Sequence, residues 1–323
     1  MPRSPTVSVV MSVFNGARYL SASIASILSQ EDVDFELIIV DDGSTDATPG
    51  LLAEFAARDA RVRVIRQDNS GITQALIRGC AAARGTFIAR QDADDMSLPG
   101  RLKAQVQMLA GDDSLVFVSC WAEVIGPNGE VLLTHKRPDA PEAATRMLLD
   151  RIGGPPGHGS VMFRRDAYRR VGGYVPELCY AQDSDLWLRF GLIGRLQYVQ
   201  EVLYQYRLAP DSISGSRHSL KMPFAQVVDE LHTARLVGRS EAPILAKARQ
   251  LPKHADTQDT TKSRGSEDAT LYFIGKCLAD RRDGRSLSYL LACVRTNPLN
   301  LRAWLVLPWA LTLALTGRLG NSR

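Results

Sequence analysis

The sequence predicts an α/β protein: a mostly parallel central sheet flanked by helices, followed by a helical C-terminal extension. Three observations predict it. Short apolar runs alternate with helical periodicities as far as residue 109, the pattern of strands joined by crossover helices. The first run, residues 7–13, is apolar except for two serines and rich in β-branched valine, as in strands buried on both faces. Acidic clusters follow two of the strand candidates directly, where such sheets bind ligands.

Residues 7–13 form the first strand. Leu20, Ile24, Ile27 and Leu28 then recur on one helical face. Residues 35–40 are the second strand. Thr48-Pro49 reads as an N-cap with proline at the first helical position, and Leu51, Leu52, Phe55 and Ala56 give that helix its apolar stripe. Residues 62–65 are a strand, 75–83 a helix and 87–89 a fourth strand, and Leu98-Pro99 opens a helix to about residue 109. Strands follow at 116–121 and 131–135, around the turn Pro127-Asn128-Gly129. Residues 153–157 are a loop, 160–163 a short strand, 185–190 the start of a helix and 196–206 extended. Helix dominates after Met222, and the polar stretch 254–268 is the best linker candidate. The expected division is a catalytic domain at 1–222 and a helical region at 223–323, with a linker at about 252–268.

With 45% hydrophobic and 23% charged residues over 323 positions, wholesale disorder is excluded. The net charge of +4 is too small to demand a nucleic-acid partner. Five scattered cysteines without metal-ligand spacing read as reduced thiols in a cytoplasmic setting. The apolar run at 7–14 ends at Asn15-Gly16, too short for a signal peptide. Residues 303–317 are fifteen positions without a charge, interrupted by Pro308 and short of the about 20 needed to span a bilayer. With Trp304, Trp309 and a basic tail, they read either as a peripheral membrane contact, for example at the inner face of the plasma membrane, or as a helix docked on its own protein.

Three clusters carry chemistry. Asp41-Asp42-Gly43-Ser44-Thr45-Asp46 follows a strand; its acids can accept hydrogen bonds from a base or ribose, or form an Asx-type turn ahead of the next helix. Asp92-Ala93-Asp94-Asp95 sets three carboxylates within four residues, which calls for a cation or wide solvation. Mg²⁺ or Mn²⁺ held by one or two carboxylates and a substrate diphosphate answers the first alternative; a solvated turn answers the second. In Gln182-Asp183-Ser184-Asp185-Leu186-Trp187, Asp183 is a general-base candidate or an N-cap.

In order and spacing, these clusters, together with residues 7–16, 82–91, Leu98-Pro99-Gly100-Arg101-Leu102, residues 158–165 and Val171-Gly172-Gly173-Tyr174, resemble the family 2 glycosyltransferases over about residues 5–215. The resemblance implies the GT-A nucleotide-diphospho-sugar transferase fold and single-displacement, inverting transfer from a nucleotide-sugar, a UDP-sugar foremost, to a saccharide or lipid-linked acceptor in cell-surface polysaccharide synthesis. It implies that Asp42 recognises the nucleobase, that Ser12 and Phe14 line the nucleoside pocket, and that Asp92 approaches the ribose or metal. It also implies that Asp94 binds the Mn²⁺ or Mg²⁺, that Asp183 is the base, and that His158, Gly159, Ser160 and Gln182 border donor sugar and acceptor.

The sequence departs from the family pattern at Gln182, where an acid is usual, and at Leu208-Ala209, where a metal-assisting histidine often stands. The Gln-x-x-Arg-Trp motif of processive synthases is absent, which favours transfer of one sugar per binding event. Two further readings stay open: a nucleotidyltransferase making nucleotide-sugars, and a catalytically degenerate partner subunit.

Overall fold

The computed structural model describes residues 4–209, 218–252 and 260–320. A nine-stranded sheet runs in the order β3-β2-β1-β4-β8-β6-β9-β5, with β7 paired to β6. Its parallel part is β1 (Val7–Val13), β2 (Phe35–Asp41), β3 (Val62–Arg66) and β4 (Phe87–Asp92). The rest is β5 (Met96–Ser97), β6 (Leu115–Ile125), β7 (Val131–His135), β8 (Met162–Arg164) and β9 (Arg195–Arg207). Antiparallel pairing begins where β8 meets β4 and continues through β6–β8 and β5–β9.

The parallel part forms for the reason its sequence gives: β1 and β2 are buried at nearly every position. Helices α1 (Ala17–Leu28), α2 (Thr48–Arg58) and α3 (Ile72–Ala82) supply the crossovers. Leu20, Ile24 and Ile27 of α1 and Leu52 of α2 join Val9, Met11, Leu37 and Ile39 in one core, to which α4 (Arg101–Gly111) adds Leu102 and Leu109. Glu36 ties three segments together near the strand starts, accepting from Ser8 Oγ (2.7 Å), Arg63 Nη1 (2.6 Å) and Arg84 Nε (3.1 Å). These bonds hold its pKa below 4.5 although burial pushes the other way.

The remaining helices are α5 (Pro141–Leu149), α6 (Arg165–Arg170), α7 (Gln182–Gly191), α8 (His218–Leu236), α9 (Ala242–Gln250), α10 (Thr260–Asp280), α11 (Ser286–Thr296) and α12 (Leu301–Gly320). Packing divides the chain into two units. The first takes Met1–Ala122, His135–Tyr206 and Pro223–Leu251; the second takes Glu123–Thr134, Arg207–Met222 and Pro252–Arg323. Thus α8 and α9 pack with the sheet unit: Arg235 of α8 bonds Asp185 of α7 at 2.6 Å. The second unit is centred on α10, α11 and α12, with Ile274, Leu290, Cys293, Ala303 and Ala310 fully buried.

Several elements differ from their sequence expectation. The parallel pairing is confined to four strands, because β8, β6, β9 and β5 enter from the antiparallel side. Thr48 is the first residue of α2 rather than its cap; its hydroxyl accepts Gly16 N–H at 3.0 Å, and the residue at the cap position is Ala47, which has no capping side chain. The fourth strand continues to Asp92, since Arg90 and Gln91 are buried with partners. The 160–163 strand resolves into a 3-10 turn, His158–Ser160, followed by β8. Of the expected linker, the part from Thr260 is helix, and residues 254–259 lie outside the described residues.

Candidate active site

The candidate catalytic, nucleotide-binding, metal and sugar-site residues named from the sequence all lie in the first unit. The parallel registers bring the first of them together: Ser12 stands opposite Asp92, and Val13 opposite Asp41. Phe14 follows β1 with half its surface exposed (51%), a flat apolar ring open to solvent.

The loops after β1 and β2 brace one another. Asn15, in the left-handed region at φ 50°, accepts Thr45 N–H at 2.8 Å and donates its own N–H to Ser44 Oγ at 2.9 Å. Asp41 Oδ1 accepts Ser44 N–H at 2.9 Å, and Asp46 accepts Thr48 N–H at 2.9 Å and Ala17 N–H at 3.2 Å. The Asx-type turn is therefore present. Asp42 is buried, and its Oδ1 accepts from Gln67 Nε2 (2.7 Å), Ser70 N (3.0 Å) and Ser70 Oγ (3.3 Å), while Oδ2 accepts Gly71 N–H (2.8 Å). Its charge thereby fixes the 67–71 loop, a charge-assisted arrangement of the strong kind. Gly43, at φ 81°, lies so close to that loop that a Cβ would sit 2.8 Å from Asn69 N. A cavity of about 540 Å³ opens here, lined by Gly43, Thr45, Gln67, Asn69 and Arg78 among others.

The end of β4 is built on two fully buried arginines. Arg90 donates from Nη2 to Asp92 Oδ1 at 2.6 Å and from Nη1 to Val10 O. Burial alone would lower its pKa, but Asp92 beside it raises the pKa above the ordinary arginine value and keeps it charged. Arg101, at the start of α4, donates to Ser97 Oγ (2.6 Å), Gln91 Oε1 (3.0 Å) and Arg90 O (2.8 Å), and its guanidinium lies 4.9 Å from the Tyr204 ring centroid. Tyr204 Oη donates to Asp95 at 2.8 Å and accepts Asp92 N–H at 3.4 Å. Asp95 is thus used inside the protein, whereas Asp92 and Asp94 are partly exposed. Among the described residues no group of three or more His, Cys, Asp or Glu converges as a metal cage. Oxygen donors too few for a closed cage fit a hard divalent cation shared with a substrate diphosphate.

The 3-10 turn lies against this end of β4. Gly159 is obligatory: a Cβ there would meet Tyr204 Oη at 1.7 Å and Asp92 N at 2.9 Å. Ser160 donates to Gly157 O at 2.7 Å and sits 2.8 Å from Ser119 Oγ. His158 Nε2 receives Arg90 Nε–H at 3.3 Å and contacts Tyr174 Oη at 2.7 Å. The cation can only donate, so Nε2 is the accepting nitrogen and Nδ1 carries the proton. Burial pushes the His158 pKa well below 6.5, and the Arg90 charge adds to this, so the ring is neutral at pH 7.

Asp183 lies in the first turn of α7, after Ala181 at φ 57°. It is a helical residue rather than a cap; its Oδ1 accepts Ser184 N–H at 2.8 Å. Burial raises the Tyr174 pKa well above 10, and the Asp183 charge adds to the rise. Gln182 is buried, and its Oε1 has no hydrogen-bond partner among the described residues. Behind them Asp185 is fully buried between Arg189 (2.5 Å) and Arg235 (2.6 Å), anchoring the helix.

Arg90, Arg101 and Tyr174 stand in the motif strings but received no role from the sequence, and Tyr204 and the Gln67–Ser70 contacts were not singled out. A signal existed for the first: an arginine inside an apolar strand run needs buried partners.

A nine-stranded, part-parallel sheet with acids at its strand ends is the GT-A glycosyltransferase architecture, and solved structures of that class align along nearly the whole chain. Staphylococcus aureus TarS 1–349 in complex with UDP-GlcNAc superposes with a TM-score of 0.58 at 16% identity, covering 98% of this chain and 92% of that one. The mannosyltransferase PcManGT of Pyrobaculum calidifontis, in complex with GDP-Man and Mn²⁺, gives 0.54 at 18% identity, covering 100% and 89%. The family model "Glycosyl transferase family 2" matches residues 8–172, and EpsE of Bacillus subtilis (strain 168), named as a glycosyltransferase, is 37% identical over 225 residues, 66% of this chain and 76% of its own length. The chain belongs to glycosyl transferase family 2.

Proposed function

We propose that this glycosyltransferase is an inverting, metal-dependent, hexosyltransferase-like enzyme. It moves a sugar from a nucleoside-diphosphate sugar, a UDP-sugar first among donors, to a hydroxyl of a saccharide or lipid-linked saccharide in cell-surface polysaccharide synthesis. Such an acceptor puts its work in the cytoplasm at the inner face of the plasma membrane. The observation that carries the reading is the convergence of Ser12, Asp92 and the 158–160 turn at the end of two paired parallel strands, with Asp94 following two residues beyond β4. The UDP-GlcNAc and the GDP-Man with Mn²⁺ bound by the two solved relatives support it.

In this reading Phe14 and Ser12 line the nucleoside pocket, and Asp42 serves the nucleobase by holding the 67–71 loop against it. Asp92 approaches the ribose or the metal, its charge balanced by Arg90. Asp94 holds Mn²⁺ or Mg²⁺, which when bound offsets the charge that builds on the departing diphosphate. Asp183 takes the acceptor hydroxyl's proton as that oxygen attacks the anomeric carbon. His158 is the wrong base: its accepting nitrogen is occupied, and it offers only Nδ1–H, alongside Gly159 and Ser160, toward the sugars. The buried Gln182 Oε1 is available to accept from a sugar hydroxyl. The catalytic module is the first packing unit.

The test is transfer from UDP-sugars with the product's anomeric configuration read by NMR. Inversion, lost in Asp183→Asn, is expected. Retained configuration, or unchanged turnover in that variant, contradicts the reading; pyrophosphate release from a nucleoside triphosphate and a sugar phosphate points to a nucleotidyltransferase instead.

A further inference from the structure

Helix α12 is apolar on both faces. Ala303, Leu307, Ala310 and Leu313 face inward and are buried within the second unit. The outward face carries Leu301 (72% exposed), Trp304, Leu305 (81%), Trp309, Leu311 and Leu315. A helix apolar all round belongs in an apolar phase, and here one half of it has none. No helix of the described residues is long and apolar enough to cross a bilayer, so a spanning role is not the answer.

The polar side-chain atoms on this face are already satisfied internally. Trp304 Nε1 donates to Pro298 O at 2.9 Å, Trp309 Nε1 to Ala279 O at 3.3 Å, and Thr312 Oγ1 to Pro308 O at 3.0 Å. What the indoles leave exposed is therefore hydrocarbon, which enters an apolar phase without stranding a donor. Arg302 lies at the margin of the face. From Gly284 to Arg323 the sequence holds five arginines and no acid; Arg285 is paired with Asp283, while Arg295 and Arg302 are exposed and make no ion pair among the described residues.

We infer that the outward face of α12 is a membrane-surface anchor, lying in the headgroup–acyl boundary of an anionic bilayer with its arginines among the lipid phosphates. The charge argues against a second copy of the chain, since symmetric pairing across this face would set Arg302 against its own copy, and neither α11 nor α12 carries an acid to receive it.

The test is co-sedimentation of the full-length protein with phosphatidylglycerol/phosphatidylcholine vesicles and with phosphatidylcholine alone, alongside light scattering for mass. Binding to the anionic vesicles is expected, falling at least about tenfold in Leu301→Gln/Leu305→Gln, where two exposed leucines lose their transfer term, and on neutral vesicles. Arg295→Gln/Arg302→Gln should lower binding to anionic vesicles only. All four positions are exposed, so each variant should keep the wild-type melting temperature. Absence of binding to anionic vesicles, equal binding after the leucine substitutions, or a dimer that dissociates in the leucine variant would each overturn the anchor; the last would make the face a self-association surface. Vesicle binding is read without turnover, so its failure leaves the transfer reading intact.

Discussion

The two acidic clusters of this protein use one residue type in opposite ways. After β2, Asp41, Asp42 and Asp46 direct their oxygens at the protein's own N–H groups and side chains, and Asp42 alone accepts four hydrogen bonds. After β4, Arg90 supports Asp92 from the buried side, Tyr204 takes Asp95, and Asp92 and Asp94 stay partly exposed. The first cluster shapes a pocket wall; the second holds charge at a surface where it can meet substrate. The difference teaches that an acid-rich string at a strand end is assigned by where its oxygens go, not by its spelling.

The largest expected effect lies on the transfer side. Asp183→Asn should lower kcat by roughly 10²–10⁴-fold, with nucleotide affinity retained, measured by steady-state transfer and a nucleotide thermal shift. Gly159→Ala should come next: its Cβ cannot coexist with Tyr204 Oη, and forcing the two apart costs about 3 kcal/mol, read by denaturant unfolding, with transfer lost alongside. On the pocket wall, Asp42→Asn turns an all-accepting carboxylate toward two backbone N–H groups it cannot fully serve. A loss of about 2 kcal/mol is expected, together with weaker nucleotide binding; unchanged stability would break the distinction drawn above. Asp46→Ala, exposed and holding two N–H groups, should cost only about 1 kcal/mol.

The neutral His158 gives a pH signature. Its folded pKa lies below 6.5, so the unfolded chain binds the proton first as pH falls. The stability it contributes is complete above about 6.5 and declines below that pH toward the folded pKa. The melting temperature of wild type should therefore fall more steeply than that of His158→Asn below pH 6.5; parallel profiles would mean that the ring is not held neutral.

Much of this was legible in the sequence, for identifiable reasons. β1 and β7 have their expected limits because each is an apolar run closed by turn residues, and α1 buries Leu20, Ile24 and Ile27 as its periodicity requires. The alternation gave the parallel strands. The antiparallel half was less regular because its pairing joins distant segments such as β4 and β8, which periodicity does not encode. β4 read as too short because Arg90 and Gln91 look like a strand's end, although they are buried with tertiary partners. In α7, Asp185 and Arg189 face inward to one another, and their polarity hid the helix start at Gln182. Ser12, Phe14, Asp42, Asp92 and Asp94 could be placed from strand ends; the arginine framework beneath them could not, since each arginine's partners lie on other elements.

The most direct test is thermal unfolding of wild type, Asp42→Asn and Asp94→Asn, each with UDP, GDP, dTDP and CMP, with and without Mn²⁺. The account predicts that one nucleotide with Mn²⁺ stabilises wild type, by about 2.7 kcal/mol at a concentration 100 times its Kd. Asp94→Asn should lose that shift while changing unliganded stability by under about 1 kcal/mol, whereas Asp42→Asn should start lower before any ligand is added. A Mn²⁺-dependent shift surviving in Asp94→Asn, or no shift with any nucleotide in wild type, would contradict it.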